Sequence, residues 1–267
     1  MHWIFRRAVI LVVCILLLIC AVAWKRTGAS QTQGKATASA RPAGRKPKSS
    51  TADAYRFNTL GVAYLNQQRP ADAQKYFEWA LAAEPKFAVA RLNLGVALLG
   101  QQKLEAARDV LAQAAEQLPG DAYAWYNLGL AYKDLGDTEK GLGAFQHVTE
   151  IQPNEADAYY FIGYLQTQNQ KYDEAVAAFQ KGLALNPVHA SAEFGLARAL
   201  QRKGDAASAR EHLARFQKIT ADHLGVPFGA GYGDQGKYST AELPLSTVAD
   251  APAAIPVHFE ATANPFS

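Results

Sequence analysis

The sequence predicts an all-helical solenoid, a stack of helix–turn–helix repeats with a membrane-spanning helix and a flexible tether before it and an irregular tail after it. Three observations lead to the repeat prediction: glycines recur every 34 residues, prolines recur at the same interval, and each interval holds two apolar stretches with helical spacing. The glycines are Gly61, Gly95, Gly129 and Gly163, and the prolines are Pro85, Pro119, Pro153 and Pro187.

Five units follow one another without an insertion: 54–87, 88–121, 122–155, 156–189 and 190–223. In the third unit, apolar residues at helical spacing mark one face of a first helix: Trp125, Leu128 and Tyr132. Gly136 is suited to end this helix, since glycine tolerates the left-handed conformation of a helix C-cap. Pro70 stands where a second helix should begin, a position that accepts proline. The pattern therefore predicts two helices and a short turn in each unit.

Small residues mark the place where the two helices of a unit meet. Gly129 on the first helix and Gly141 on the second let the helices approach closely, and alanines occupy the place of Gly141 in other units: Ala73, Ala107, Ala175 and Ala209. One unit cannot bury its apolar face alone, so neighbouring units must stack into a continuous core. Large apolar residues are assigned to that core: Phe77, Trp125, Phe145 and Phe179.

Over residues 54–223 the sequence resembles the tetratricopeptide repeat family, whose fold is a right-handed superhelical solenoid. Two sets of large apolar residues carry the resemblance: Phe77, Leu111, Phe145, Phe179 and Leu213 on the second helices, and Leu60, Leu94, Leu128, Ile162 and Leu196 on the first. The fifth unit departs from the family pattern, with Glu193 where an aromatic residue is usual and no closing proline. A terminal, capping repeat is expected to be atypical in this way.

The resemblance implies a concave groove lined by the second, fifth, ninth and twelfth residues of each unit. Those places include Tyr55, Leu92, Val96, Tyr123, Tyr126, Tyr160, Tyr164, Phe194 and Arg198. Tyrosine combines a large apolar ring with a polar tip and is favoured at interfaces. We expect a protein or peptide ligand with apolar or aromatic side chains. The alternative is that several tyrosines pack against neighbouring helices or against the chain's own tail.

One well-known binding mode of the family is not expected. Its chaperone-binding branch holds a C-terminal carboxylate with a lysine and an asparagine in the first repeat. The matching positions here are Asn58 and Val62, so the lysine of this clamp is missing.

Residues 8–24 contain no charged side chain, and 17 residues is the lower limit for a membrane-spanning helix. Trp3 and Trp24 flank the segment as interfacial anchors do. The alternative is a cleaved signal peptide ending near Ala23, although Lys25 and Arg26 follow at once. We predict an uncleaved single-pass anchor over residues 1–24, with the repeats outside the cytoplasm, in a periplasmic location.

Charge separates the two ends of the chain. Residues 1–50 sum to +9, and residues 51–267 sum to −6. Residues 25–53 lack a hydrophobic pattern and are predicted to be a flexible basic tether. The repeats are therefore acidic, which argues against a nucleic-acid ligand, because such a ligand requires a basic surface. Both cysteines lie in the apolar N-terminal segment, so no disulfide is expected in the rest of the chain.

Residues 224–267 are rich in glycine, proline and alanine and are predicted to be irregular or partly disordered, or to fold back on the repeats. Residues 229–238 have the composition of turns, and residues 255–262 alternate like a short strand. This tail resembles the junction that precedes FG-GAP/ASPIC-UnbV β-propeller regions in some tetratricopeptide repeat proteins. That resemblance is confined to a few dozen residues.

The search for chemistry finds no catalytic residue, metal site or cofactor motif. The six histidines show no metal-ligand spacing, and the glycines of residues 229–233 lack the flanking strand and helix of a nucleotide site. We therefore predict a non-enzymatic scaffold, tethered to a membrane, that binds a protein or peptide in a tyrosine-rich groove. The alternative is an accessory module of an extracytoplasmic enzyme, or of a propeller protein, whose main part lies elsewhere.

Overall fold

The computed structural model describes residues 50–243, which form ten α-helices and one short 3-10 helix, with no β-strand among them. In chain order these helices are α1 (Thr51–Asn66), α2 (Pro70–Ala83), α3 (Ala88–Leu99), α4 (Leu104–Gln117), α5 (Ala122–Leu135), α6 (Thr138–Ile151), α7 (Ala156–Gln168), α8 (Tyr172–Leu185), α9 (Ala190–Lys203), α10 (Ala206–Ala221) and the 3-10 helix (Lys237–Ser239).

The helices pack as a repeating series. Each first helix packs on the second helix of its own unit and on the second helix of the unit before it. First helices also touch first helices of neighbouring units: α1 touches α3, α3 touches α5, and α7 touches α9. The predicted all-helical solenoid is confirmed for the described residues. The first helices form a common wall, and the candidate functional site lies on it.

Local sequence explains where the helices end. Gly136 ends α5 with φ 78°, and Gly204 ends α9 with φ 96°, so both occupy the left-handed region that glycine tolerates best. Pro70 is the first residue of α2, as predicted. The four repeating prolines each stand two residues beyond the end of a second helix: Pro85, Pro119, Pro153 and Pro187.

The other three turns contain no glycine at the left-handed position. Glutamine occupies it instead, with φ 57° at Gln68, 58° at Gln102 and 59° at Gln170. A left-handed conformation costs a residue with a Cβ atom about 1 kcal/mol or more. The sequence pattern predicted a turn at each of these places but not its left-handed residue, because glutamine has no preference for that conformation.

The repeating glycines of the first helices make room for large side chains of the second helices. A Cβ atom on Gly129 would lie 2.9 Å from Phe145 Cε2, and one on Gly163 would lie 2.8 Å from Phe179 Cδ1. Gly61 and Gly95 face Phe77 and Leu111 in the same manner. On the second helices, the small residues are all buried: Ala73, Ala107, Gly141, Ala175 and Ala209. Close packing between the two helices of a unit therefore explains why these positions hold glycine or alanine.

Aromatic side chains fill the centre of the array. Phe145 stacks on Phe161 with ring centroids 4.8 Å apart, and Tyr126 meets Phe145 edge-on at 5.3 Å. The predicted core positions of Phe77, Phe145 and Phe179 are confirmed, because all three are buried. Trp125, the fourth predicted core residue, is only partly buried. Its indole N–H instead donates to the backbone oxygen of Pro119 at 3.0 Å.

The last unit differs from the others in its packing. Glu193 replaces the usual aromatic residue, and its carboxylate lies 2.6 Å from His212 Nδ1 inside the helix pair. The hydrogen bond gives the buried carboxylate the polar partner that burial requires. Beyond α10 no helix follows within the described residues, and Leu213 remains 38% exposed.

The predicted membrane location is wrong on the present structure. A bilayer-spanning helix needs about 20 predominantly apolar residues. No helix within residues 50–243 is both long and apolar enough, since the longest have 16 residues and carry charged side chains. Residues 8–24, on which the prediction rested, lie outside the described residues. So do most of the predicted tether and the predicted strand at 255–262.

Candidate functional site

The candidate site is the groove formed by the first helices α1, α3, α5, α7 and α9. After α10 the chain turns back, and residues 224–243, which we call the tail segment, lie against these helices. Contacts with the tail segment extend from Ser191 in α9 to Asn66 at the end of α1, whose side-chain oxygen accepts the Tyr232 hydroxyl at 3.2 Å. The groove is therefore already in contact with a stretch of irregular polypeptide.

Two asparagines hold the backbone of the tail segment. Asn93 accepts the N–H of Glu242 at 2.8 Å and donates to the oxygen of the same residue at 2.7 Å. Its second amide hydrogen is donated to Asn58 Oδ1 at 2.9 Å, inside the array. Asn127 donates to the backbone oxygen of Tyr238 at 2.7 Å. Because both asparagines bind backbone groups, these contacts are independent of the side chain that the bound segment carries.

Tyr238 occupies an aromatic slot on α5. Its ring lies edge-on to Tyr123 with centroids 4.6 Å apart and tilts against Tyr126 at 5.7 Å. The hydroxyl of Tyr126 donates to the backbone oxygen of Gln235 at 2.5 Å. Burial raises the pKa of the Tyr126 hydroxyl well above its usual value, and the carboxylates of Asp157 and Glu155 add to the shift. Tyr126 therefore remains a hydrogen-bond donor over the physiological range.

Phe228 occupies a second aromatic pocket, between α7 and the start of α9. Its ring stacks on Phe161 at 5.6 Å, meets Tyr160 edge-on at 5.1 Å and lies 5.0 Å from the ring of His189. The N–H of Phe228 donates to Ser191 Oγ at 2.7 Å. Burial raises the pKa of Tyr160 to about 12. The pocket thus presents the rings of Tyr160, Phe161 and His189 to an aromatic side chain.

Two carboxylates at the start of α7 form an acidic rim beside these pockets. Glu155 Oε2 lies 2.9 Å from Lys237 Nζ, and the Glu155 side chain is only 7% exposed. Asp157 Oδ2 accepts the backbone N–H of Lys237 at 3.3 Å, and its other oxygen lies 3.3 Å from His189 Nε2. The hydrogen bond to Glu155 raises the pKa of the Lys237 ammonium group. The rim therefore favours a cation.

Glycines allow the tail segment to enter the groove. Gly236 has φ 97° and ψ 168°, a conformation that essentially only glycine adopts. A Cβ atom on Gly236 would overlap the hydroxyl of Tyr126 and the carboxylate of Asp157. Gly231 donates its N–H to Asp234 Oδ2 at 3.1 Å, which closes a local turn. The turns predicted for residues 229–238 are confirmed, and Lys237–Ser239 adds a 3-10 helix.

The groove residues predicted from the repeat register differ widely in exposure. Tyr126, Leu92 and Val96 are buried, whereas Tyr55 and Phe194 are 42% and 41% exposed. Of the remaining groove residues, Tyr123, Tyr160 and Tyr164 are partly buried, and Arg198 is exposed. The tail segment covers the central tyrosines Tyr123, Tyr126 and Tyr160. The alternative of packing against the chain's own tail therefore describes these three residues.

Five residues of the site were missed by the sequence pattern: Asn93, Asn127, Glu155 and the tail residues Phe228 and Tyr238. Asp157 and Ser191 are second residues of their units and so stand at groove places that the pattern specifies. One signal was present. Asn93 and Asn127 recur at the repeat interval on otherwise apolar first helices, and both side chains are almost fully buried. Buried polar side chains require hydrogen-bond partners, so this recurrence could have indicated a backbone-binding position.

Two-helix repeats that stack into one array and hold a peptide segment on their common wall define a helical-repeat binding scaffold. The chain belongs to the tetratricopeptide repeat family: four models of the tetratricopeptide repeat match residues 58–122, 98–163, 156–189 and 190–215. A search of curated proteins gives no match.

Solved structures share the fold of this array. MamA residues 41 to the end from Desulfovibrio magneticus RS-1 is 21% identical, with a TM-score of 0.60, 66% of this chain covered and 98% of that one. Another MamA crystal structure is 21% identical, with a TM-score of 0.58 and coverage of 62% and 96%. YrrB, described as a TPR protein with an unusual peptide-binding site, is 21% identical, with a TM-score of 0.56 and coverage of 64% and 89%.

Proposed function

We propose that this protein is a non-catalytic scaffold that binds a segment of a partner protein in the groove of its first helices and so assembles a complex. The observation behind this proposal is that the groove already binds polypeptide. Asn93 and Asn127 make three hydrogen bonds to backbone atoms of the tail segment. Side chains that pair with backbone groups accept any sequence that follows the same path.

The rest of the wall supplies selectivity. The aromatic pockets at Tyr123 and at Tyr160 receive rings, and rings buried in such pockets contribute much of the affinity of protein interfaces. The first helices at the two ends of the array also carry exposed residues of the predicted groove: Tyr55 on α1, and Phe194 and Arg198 on α9. A partner segment longer than the tail could therefore use the full set of predicted groove residues. The peptide-binding description of YrrB is consistent with this role.

Selection of peptides from a random display library against the full chain tests this function. We expect selected peptides to bind the wild-type chain and to lose at least about tenfold in affinity for an Asn93→Ala/Asn127→Ala variant, as loss of hydrogen bonds in a buried site should cause. A matched control is Gln113→Ala/Gln146→Ala, which alters two exposed amides of the second helices. Equal affinity of the groove variant and the control variant would refute the proposed groove.

A further inference from the structure

The tail segment has the properties of a bound ligand rather than of a core element. The cores between helices consist almost entirely of helix residues, with Tyr238 as the buried exception from the tail. Val226 and Leu243, near its two ends, are 83% and 56% exposed. It contacts the array through three aromatic side chains (Phe228, Tyr232 and Tyr238), one ion pair and a set of backbone hydrogen bonds, which is how an irregular peptide binds a groove.

We propose that the tail segment is a resident ligand that blocks the groove, and that the partner displacing it is a protein segment with a basic residue directly followed by an aromatic one. This inference rests on the proposed function, since it identifies the ligand of the same groove. The pair Lys237–Tyr238 is the internal example of the motif.

The basic residue is required by the acidic rim. Glu155 keeps its carboxylate nearly buried at the start of α7, and Lys237 is the one ammonium group paired with it within residues 50–243. The Lys237 side chain is 62% exposed, so only the carboxylate side of the pair is buried, and loss of the cation leaves a nearly buried charge unpaired, which is unfavourable. A segment that replaces the tail therefore gains affinity by bringing its own cation to Glu155. Asp157 reinforces this preference, because it accepts the backbone N–H of the same residue.

The aromatic residue is required by the slot beside the rim. Tyr238 is 6% exposed between Tyr123 and Tyr126, and its backbone oxygen accepts from Asn127. The Lys237 ammonium lies 4.5 Å from the Tyr238 ring centroid, so the two neighbouring side chains also support each other. An aliphatic residue would leave part of the slot empty. The adjacent rim and slot thus recognise the order basic, then aromatic.

The tail segment is bound imperfectly, which makes displacement feasible. Among the described residues, three buried polar atoms of this interface have no hydrogen-bond partner: Asn127 Oδ1, His189 Nε2 and Glu242 Oε2. The segment also contains four glycines between residues 229 and 236, and ordering glycine is entropically unfavourable. Its advantage is its tether, which gives an effective concentration of about a millimolar. An external segment must therefore gain contacts that the tail lacks, such as Tyr55 or Phe194.

Gly236→Ala is the substitution that separates tail from groove. It places a methyl group against Tyr126 and Asp157 and opposes a backbone conformation reserved for glycine. The change lies in the tail, so the helices should remain folded, as circular dichroism would verify. Gly143→Ala is the matched control, because a Cβ atom there has nothing within 4 Å. A Phe228→Ala/Tyr238→Ala variant, which removes two of the three aromatic contacts and leaves Tyr232, provides a second route to release.

The probe is a fluorescent synthetic peptide with the sequence of residues 226–243, titrated into the full-length chain. We expect the Gly236→Ala chain to bind it at least about tenfold more tightly than the wild-type and Gly143→Ala chains, because the tethered competitor is lost. Peptides carrying Lys237→Glu or Tyr238→Ala should bind the released chain at least about tenfold more weakly than the parent peptide. Hydrogen exchange should show the amides of Gly231, Lys237 and Glu242 protected in the wild type and unprotected after release.

The failures of the two proposals are distinguishable. If tail amides exchange freely in the wild type, or if both release variants bind the peptide no better than the wild type, the resident-ligand proposal is wrong. Peptides selected from the library would still bind, and the proposed function would stand. If the released chains bind neither the tail peptide nor any selected peptide, the groove function itself is wrong. A wild-type chain that sediments as a dimer and loses that dimer on tail release would instead place the tail in a second copy's groove.

Discussion

The centre and the ends of the groove carry aromatic residues at the same repeat places, yet their exposure is opposite. Tyr126 and Phe194 are both fifth residues of their units, and they are 0% and 41% exposed. Tyr123 and Tyr55 are both second residues, and only Tyr123 is covered by the tail segment. A position in the repeat therefore decides which wall a side chain joins, but not whether that side chain is free to bind.

The tail segment accounts for much of the difference. It reaches from Ser191 in α9 to Asn66 at the end of α1, and it leaves Tyr55 and Phe194 exposed. Tyr126 is enclosed from the other side as well, since its ring also packs on Phe145 and Phe161. Tyr126 is thus both a groove residue and a core residue, whereas Phe194 is exposed and contacts Phe216 of α10.

The largest expected effect follows from this double role. Tyr126→Ala should lower the free energy of unfolding by about 3–5 kcal/mol, since truncating a buried aromatic side chain leaves a cavity. Phe194→Ala, at the same repeat place, should cost about 1 kcal/mol or less because its ring is already half exposed. Urea denaturation followed by circular dichroism measures both. Similar losses for the two variants would contradict the distinction between centre and ends.

The next effect concerns packing behind the groove. Gly129→Leu should destabilise the array by about 1–3 kcal/mol or more, because the new side chain overlaps the ring of Phe145. Gly143→Leu adds the same atoms to the second helix of the same unit, where nothing lies within 4 Å of a Cβ atom. We expect that control to be neutral or slightly stabilising, since leucine favours a helix over glycine. Thermal unfolding of the two variants at equal temperatures would refute the steric account.

A smaller effect sharpens the account of the tail. Burial raises the pKa of Glu242 from 4.5 to about 7, and Asp121 beside it adds to the shift. The charged or titratable groups facing Glu242 are Asp121 and Tyr123, both on α5. Because the pKa is higher in the docked tail than in a free one, the protonated form favours docking. This contribution is complete below 4.5 and is lost as the pH rises through about 7.

We therefore expect the tail to be released more readily as the pH rises from about 5 to about 8, by roughly tenfold after allowance for partial exposure of the carboxyl group. Binding of a tail peptide that carries Glu242→Gln to the wild-type chain, measured by fluorescence anisotropy across this range, would report the change, because this probe lacks the titrating carboxyl group. Glu242→Gln should remove most of the pH dependence. A pH profile that is the same in wild type and Glu242→Gln would exclude Glu242 as its source.

The smallest expected effect tests whether the left-handed turn costs the same free energy in the first repeat as in the second. Gln68 and Gln102 occupy the same left-handed turn position, with φ 57° and 58°. Replacing either by glycine should stabilise the fold by about 1 kcal/mol, since glycine lacks the Cβ atom that opposes this conformation. Equal gains in the two units, measured by urea denaturation, would show that the tail alters side-chain exposure and not the turns. A gain at only one position would show that the two turns differ energetically.

The helical array could be predicted because its determinants are local and repeated. Gly136 and Pro70 act on the residues next to them, and the pairing of a glycine with a large apolar side chain, as in Gly129 with Phe145, recurs in the first four units at the same spacing. The left-handed glutamines were not predictable, since glutamine does not favour that conformation. The predicted membrane location failed within the described residues, because none of their helices combines the necessary length and apolar character.

The groove shows most clearly which features depend on the sequence alone and which depend on the tertiary structure. By itself, the sequence determined the periodic helices, the small residues at their contacts and the wall on which Tyr55, Tyr123 and Tyr160 stand, because each of these depends on spacings within one repeat. Only the tertiary structure decided that the tail covers the central tyrosines. That outcome depends on contacts such as Asn93 with Glu242, which are 149 residues apart along the chain and leave no periodic trace in it.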